Sequence, residues 1–458
     1  MRKVKQIGLS EIWRQRLGYG VADLGCNLVW QMLTLYLMFF YTDVAGISSV
    51  QVGILFLVAR IIDGNADLLM GLIIDKTRSR WGRSRPYFLW GALPFTVFSI
   101  AAFYVPNISV SGKLIYAYIT YTGLSLAYTM VNMPLTSILP SLTNDAHERT
   151  VLATSRILFS FVGATVVAGL TLPLVKSLGH GVQKDGFFRT MIIYAISGGF
   201  FIYLTFLNVK ERTKARPESP SFKASFSALN GNRPWQLFAV NILFMWGAYF
   251  LQQGTLLYFY TYNVSRPDLA GLIATILTLV PLAGTACAPL LAKRYQKRSI
   301  FLISSGIHLT GILIMMAAGN STVGLIAGSV VSGLGFGLRH TIYFSMQADP
   351  VDYGEWKTGV NAGGLIAAVN QFTGKIAMAG SGALAGLMLT WGHYLPHQQQ
   401  TPAALMAIKL NYLYIPAFLV IISMMIMSFY RLDKILPEIK ADIDHRSRDS
   451  AGVEPPPF

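Results

Sequence analysis

The stretch Ala59-Arg60-Ile61-Ile62-Asp63-Gly64-Asn65-Ala66-Asp67 interrupts an otherwise apolar run with one guanidinium and two carboxylates. Asp63 and Asp67 are four residues apart, so a helix stacks them on one face. A charge at the centre of a bilayer costs about 3 kcal/mol or more, so such residues face an internal cavity, pair up and mark an ion or substrate path. An ion pair that only orients helices is the plainer reading. One arginine, however, cannot neutralise two aspartates.

Working outward, the composition fits a membrane. Of 458 residues, 53% are hydrophobic and 13% charged, against about 25% charged in soluble domains. The chain reads as a polytopic membrane protein. Met1 to Arg16 is polar and basic, and the first apolar run is too long for the core of a cleavable signal. The net charge of +16 does not imply nucleic acid, because the charges cluster in short loops as at a lipid surface. Cys26 and Cys287 both lie in apolar segments, which argues against a disulfide framework. No CxxC, HExxH, phosphate-binding or dinucleotide-binding pattern occurs, so neither a cofactor, a resident metal nor a catalytic residue is expected.

A spanning helix needs about 20 mostly apolar residues. That ruler predicts twelve spans, at 17–42, 49–74, 87–105, 113–140, 151–174, 188–208, 235–261, 268–291, 300–318, 322–347, 360–388 and 408–430. The polar stretch from Lys210 to Arg233 separates two six-helix bundles, 17–208 and 235–430. The segments 1–16, 209–234 and 431–458 are left as N-terminal segment, central loop and tail. With both termini in the cytoplasm, six of the 37 Lys and Arg fall in outer loops: Lys113, Lys176, Lys184, Arg189, Arg266 and Lys409. Four fall inside apolar segments (Arg60, Arg156, Arg339 and Lys375), and the remaining 27 face inward. That asymmetry predicts cytoplasmic termini.

The halves echo each other. Asp75, Arg78 and Arg83 follow the second span, where Arg294 and Arg298 follow the eighth. Glu148 and Arg149 follow the fourth span, where Asp349, Asp352 and Glu355 follow the tenth. Halves related by an axis along the membrane normal, with substrate bound near the midplane, describe the major facilitator architecture. Asp75, Arg78, Arg83, Asp349, Asp352 and Glu355 are expected to gate the inner face as well as to fix topology.

Four motifs, Tyr41-Thr42-Asp43-Val44, Phe56-Leu57-Val58-Ala59-Arg60-Ile61-Ile62-Asp63, Thr77-Arg78-Ser79-Arg80-Trp81-Gly82 and Val351-Asp352-Tyr353-Gly354-Glu355, make the chain resemble the glycoside-pentoside-hexuronide:cation symporters. These are the melibiose permease relatives, and the likeness runs from about Arg16 to about Ala441. The resemblance implies that Asp63 and Asp67 couple the cation and that Lys375 approaches them from the eleventh helix. It places Arg156, Tyr128 and Thr129 at the sugar. Asn27 and Asn132 stand where the sodium-using melibiose permease pattern has Asp, and Cys26 where it has Lys. Losing two carboxylates weakens a sodium cage, whereas a lone buried carboxylate handles a proton. Proton coupling is therefore expected, with sodium as the alternative. The surroundings of Asn27 and Asn132 look closest to the glucuronide permease branch.

A sugar site needs an aromatic face and polar groups for its hydroxyls. Asp23, Asn27, Trp30, Tyr128, Thr129, Asn132, Arg156, Gln371 and Thr373 are the expected substrate residues. Tyr19, Gln31, Tyr36, Tyr343 and Asn370 are further candidates with plain packing explanations, Tyr19 as part of an aromatic belt. Four intramembrane cations against three acids (Asp23, Asp63 and Asp67) tilt the reading toward an acidic sugar, unless the acids consume the cations. The expectation is a bacterial inner-membrane carrier, acting as a monomer, that imports a glycoside or hexuronide by alternating access. The alternatives are a sodium-coupled carrier of neutral glycosides or pentosides and, outside transport, a membrane sugar sensor. A sensor would need an appended signalling domain, and 431–458 is short for one. An enzyme would need a nucleophile or an acid and base pair at headgroup level, and none stands out.

Overall fold

The computed structural model describes residues 9–143, 146–211, 229, 231–292, 294–360, 362–396 and 398–451. Most of the central loop expected at 209–234 lies outside them, as does Pro455-Pro456-Pro457. Apolar segments in lipid must satisfy their backbone internally, which leaves the helix as the form for a single segment. The long helices are α1 (Leu9–Phe39), α2 (Ser49–Lys76), α3 (Pro86–Ala102), α4 (Val110–Ser137), α5 (Ala146–Gly179) and α6 (Gln183–Asn208), followed by α7 (Arg233–Tyr258), α8 (Pro267–Ala292), α9 (Lys297–Ala318), α10 (Thr322–Met346), α11 (Gly363–Trp391) and α12 (Pro402–Ser428). Among the described residues, ten helices are long and apolar enough to cross a membrane. The other two are α3, at 17 residues, and α2, which is 28 residues long but carries Arg60, Asp63 and Asp67.

Helix starts follow the sequence. Ser48, Ser109, Ser321 and Thr401 each accept a hydrogen bond from a backbone N–H three residues on, satisfying an orphan donor of the first turn.

The chain forms two compact units that cut across the six-helix stretches of sequence. The first holds residues up to Arg216 together with Leu251–Thr278 and Ala379–Tyr412; the second holds Pro217–Phe250, Leu279–Met378 and the segment from Leu413 onward. In the first unit Gly25 of α1 lies on Gly198 of α6, with no room for a side chain at either. In the second, Gly337 of α10 lies on Pro281 of α8 in the same way. Small residues permit such backbone approach in membrane bundles.

α1 and α7 end alike. Each runs into a π-helical turn, Phe40–Val44 and Phe259–Asn263. Ala45 N bonds Phe40 O at 2.9 Å and Ile47 N bonds Tyr41 O at 2.9 Å; Val264 N to Phe259 O (3.1 Å) and Arg266 N to Tyr260 O (2.8 Å) repeat the pattern. Both turns close through a left-handed residue, Gly46 (φ +72°) and Ser265 (φ +58°).

The segment after α12 is helical. Leu432–Ala451 is a helix, α13, anchored in the second unit. Asp433 Oδ2 accepts Arg298 N–H at 2.6 Å, and Trp356 Nε1 donates to Asp442 Oδ2 at 2.6 Å.

Candidate substrate and coupling site

On α2, Arg60, Asp63 and Asp67 share one face through i, i+3 and i+4 spacing. Arg60 Nη1 meets Asp63 Oδ2 at 3.0 Å, with both side chains 3% exposed. Nη2 of the same guanidinium donates to the Tyr121 hydroxyl of α4 at 2.9 Å. Thr129, two turns further along α4, sets its Oγ1 2.8 Å from Asp63 Oδ1 and 2.9 Å from Asp67 Oδ1. A threonine hydroxyl has one proton to give, so it cannot donate to both carboxylates at once.

The Arg60 guanidinium lies 5.0 Å from the Trp30 ring centroid of α1, within cation–π range. Trp30 in turn packs on Tyr128 with centroids 5.1 Å apart. One helical turn separates Tyr128 from Asn132 and Trp30 from Asn27, and all four are half-buried. Asn27 Nδ2 donates to Asp23 O at 2.9 Å, and Asp23 Oδ2 receives Arg156 Nε of α5 at 3.4 Å. The first unit thus brings together eight of the expected residues, Asp23, Asn27, Trp30, Asp63, Asp67, Tyr128, Thr129 and Arg156, and Asn132 follows on α4. Thr129, expected at the sugar, sits between Asp63 and Asp67, the two acids expected to couple the cation.

Lys375, Gln371 and Thr373 are on α11 in the second unit, where Thr373 Oγ1 bonds its own helix at Val369 O, 2.8 Å away. Asn370 accepts Trp235 Nε1–H at 3.3 Å. Tyr19 is not a belt residue: it is fully buried and donates to Leu135 O at 3.0 Å. Tyr36 packs on Phe187, Tyr343 stacks on Phe238, and Gln31 is buried in α1.

The residues expected to gate divide. Asp349 pairs with Lys297 at 2.7 Å inside the second unit. Asp352 and Glu355 share its short helix, Asp349–Thr358, and Asp349 and Asp352 occupy a first turn that favours negative charge. Arg83 enters through its backbone: its N–H, with those of Ser84 and Arg85, converges on the Glu211 carboxylate at 3.0, 2.7 and 3.0 Å. Arg78 is exposed in the loop after α2, and the side chain of Asp75 lies outside the described residues.

The sequence reading missed Tyr121 and Glu211. Tyr121 looks like any aromatic in an apolar run, and Glu211 sits after α6 with no motif around it.

The MFS/sugar transport protein family matches residues 18–434. The chain belongs to that family. Within it, the chain is one of the glycoside-pentoside-hexuronide:cation symporters, and it is a transporter rather than an enzyme. The isoprimeverose transporter of Lactiplantibacillus pentosus is 40% identical over 441 residues, covering 95% of this chain and 92% of its own. The glucuronide carrier protein homolog of Escherichia coli (strain K12) is 30% identical, covering 95% and 96%. Among solved structures, a D-xylose-proton symporter superposes with TM-score 0.63 at 14% identity over 92% of this chain and 96% of that one. The nucleoside transporter NupG superposes at 0.65 and 14%, over 91% and 100%. These two show the major facilitator fold alone. With the family established, this is a multi-pass membrane sugar transporter.

Proposed function

We propose that this symporter imports a neutral glycoside together with a proton across the bacterial inner membrane. It would do so through twelve spans with both termini cytoplasmic, as a monomer. Thr129 shared between Asp63 and Asp67 carries the coupling reading, because a proton on one acid lets that acid donate to Thr129 Oγ1 while Thr129 donates to the other. Arg60 pairs with Asp63 from the far side, and Asp63 with Asp67 is assigned the coupled proton. Protonation removes one negative charge from the bundle and lowers the cost of closing around it. Lys375 is assigned to the empty carrier, competing for the same acids.

The neutral substrate follows from pairing. Arg60 and Arg156 each contact a carboxylate, so neither guanidinium is spare for the carboxylate of a hexuronide. The Trp30 and Tyr128 rings suit a pyranose face, while Asn27 and Asn132 offer donors and acceptors for hydroxyls. The 40% identical relative named for isoprimeverose supports the same class. A hexuronide is the second reading, favoured by the 23% exposure of the Arg156 side chain.

The test is external pH in a lightly buffered, de-energised cell suspension given a neutral xyloside, then a phenyl-glucuronide, with and without sodium. Alkalinisation by the xyloside without sodium is expected. Uptake only with sodium would sink the proton reading, and a response to the glucuronide alone would sink the neutral one.

A further inference from the structure

At the far ends of α1 and α7 the two matched π turns present hydroxyls and one carboxylate to each other. An extra residue per turn rotates the side chains that follow, and such turns gather at functional places. Here the first turn brings Asp43 inside, where it is 4% exposed. Its Oδ1 accepts the hydroxyl of Tyr262, from the second π turn, and that of Tyr394 at 2.5 Å, from the bend after α11. Its Oδ2 accepts Thr42 Oγ1 at 2.7 Å, and Thr42 Oγ1 in turn lies 2.6 Å from the Tyr258 hydroxyl at the end of α7. With Thr42 donating to Asp43, Tyr258 must be the donor to Thr42. Four hydroxyls from three parts of the chain therefore converge, directly or in relay, on one buried carboxylate. The rings interlock as well: Tyr394 meets Tyr258 and Tyr262 edge-on, with centroids 5.6 and 5.3 Å away.

We propose that Asp43 is the keystone of a hydroxyl latch that closes the outer end of this transporter, and that the latch must break and re-form in every transport cycle. This rests on the reading of the chain as a carrier with cytoplasmic termini, which puts that end outside. A carboxylate gains from these donors only while they are all in place, and a buried polar network that is partly satisfied is unfavourable. The device is therefore two-state, made or broken, as an alternating-access gate requires. Burial, and then the charge of Asp43, push the Tyr394 phenol up from its ordinary range, keeping it a donor. The preceding residue, His393, holds φ +55°, a conformation that L side chains rarely adopt and that aims the bend at the cluster. The surrounding packing belongs to the same closed arrangement. Ser49 Oγ lies 3.0 Å from Thr390 Oγ1, Asn263 Nδ2 donates to Leu405 O at 2.9 Å, and Gly386 rests directly on the backbone of Ser49. Deeper in α7, one turn below Tyr258, a Cβ on Gly254 would meet only Thr34 O, at 3.9 Å, so a cysteine there is tolerated and lies behind the latch.

The experiment uses Gly254→Cys in a Cys287→Ser background, labelled by a membrane-impermeant maleimide on intact cells and on inside-out vesicles. Asp43→Asn, Tyr262→Phe and Tyr394→Phe are each expected to speed labelling from outside about tenfold to a hundredfold, the shift that loss of a hydrogen bond to a charged group brings. Unchanged rates from both faces in all three variants would overturn the latch. Acceleration in inside-out vesicles alone would overturn its outer placement. The tyrosine variants differ from the native chain by one oxygen each and carry the test if Asp43→Asn does not reach the membrane. Xyloside accumulation by the Gly254→Cys protein, measured in the same cells, separates the two readings: labelling that responds to the latch without accumulation would count against the carrier assignment and not against the latch.

Discussion

Arg156 Nε stands 3.4 Å from Asp23 Oδ2, long for a charge-assisted contact, with 23% of the arginine side chain exposed against 12% of the aspartate. An ion pair of that length is a replaceable one. Hydroxyls of a bound sugar are expected to insert between its two members more readily than between Arg60 and Asp63, which lie at 3.0 Å and are 3% exposed. Arg156→Gln should raise the apparent KM for the transported glycoside about tenfold to a hundredfold, the range for hydrogen bonds to a charged group, and Arg156→Lys should recover part of it. Initial-rate uptake measures both. An unchanged KM in Arg156→Gln would remove Arg156 from the sugar site.

The hydroxyl of Thr129 gives a cleaner test of coupling. Thr129→Val keeps the shape and removes a hydroxyl that touches both Asp63 and Asp67. It should lower concentrative uptake at least tenfold while sparing downhill exchange, and Thr129→Ser should stay near the native level. Asp63→Asn should abolish accumulation, and unimpaired accumulation in that variant would end its assignment. Steady-state accumulation ratios with and without an imposed pH gradient decide both cases.

Much of this site was legible in the sequence because membrane helices make charges conspicuous. Arg60, Asp63, Asp67, Asp23 and Arg156 announce themselves by the expense of burying them, and helical spacing alone puts the α2 charges on one face. Identical reasoning is blind to tyrosines. Tyr121, Tyr258, Tyr262 and Tyr394 sit among apolar residues where an aromatic needs no explanation, and their hydroxyl partners come from distant parts of the chain. Asp43 was visible only as part of a family motif. The π turns left no signal either, since Phe40-Tyr41-Thr42 and Phe259-Tyr260-Thr261 match each other only once the two helix ends are compared. Helix ends were less legible: the helix that holds the first span begins at Leu9, and 432–451 folds as α13, whose anchors Arg298 and Trp356 lie far away in sequence.

The Tyr121 hydroxyl predicts a stability effect. Arg60 Nε has no hydrogen-bond partner among the described residues, so the guanidinium is held by Asp63, Tyr121 and the ring of Trp30. Tyr121→Phe leaves a second buried N–H of the same charge unsatisfied, which costs about 1–3 kcal/mol. A lower unfolding midpoint for the purified protein in detergent is expected, with apparent KM for the glycoside little changed. An unaltered midpoint would mean that Arg60 finds another acceptor.

Glu211 offers the last prediction, at the opposite end of the molecule from the latch. Its carboxylate takes three backbone N–H groups in a row, from Arg83, Ser84 and Arg85, just where α3 begins. Arg85 is the N-cap of α3, so its N–H is one that a helix start leaves unpaired, and a negative charge is favoured beside that start. Gly82, at φ +112°, turns the chain so closely under the carboxylate that a side chain there would collide with it. Glu211→Ala frees three donors at once and should destabilise the protein by about 2–3 kcal/mol. Glu211→Gln keeps an acceptor oxygen without the charge and should fall between the two. Gly82→Ala should mimic Glu211→Ala by pushing the carboxylate away, and the double variant should then be no worse than either single one. Thermal unfolding of the four variants beside the native protein measures this, and additive losses in the double variant would show that Gly82 and Glu211 act separately.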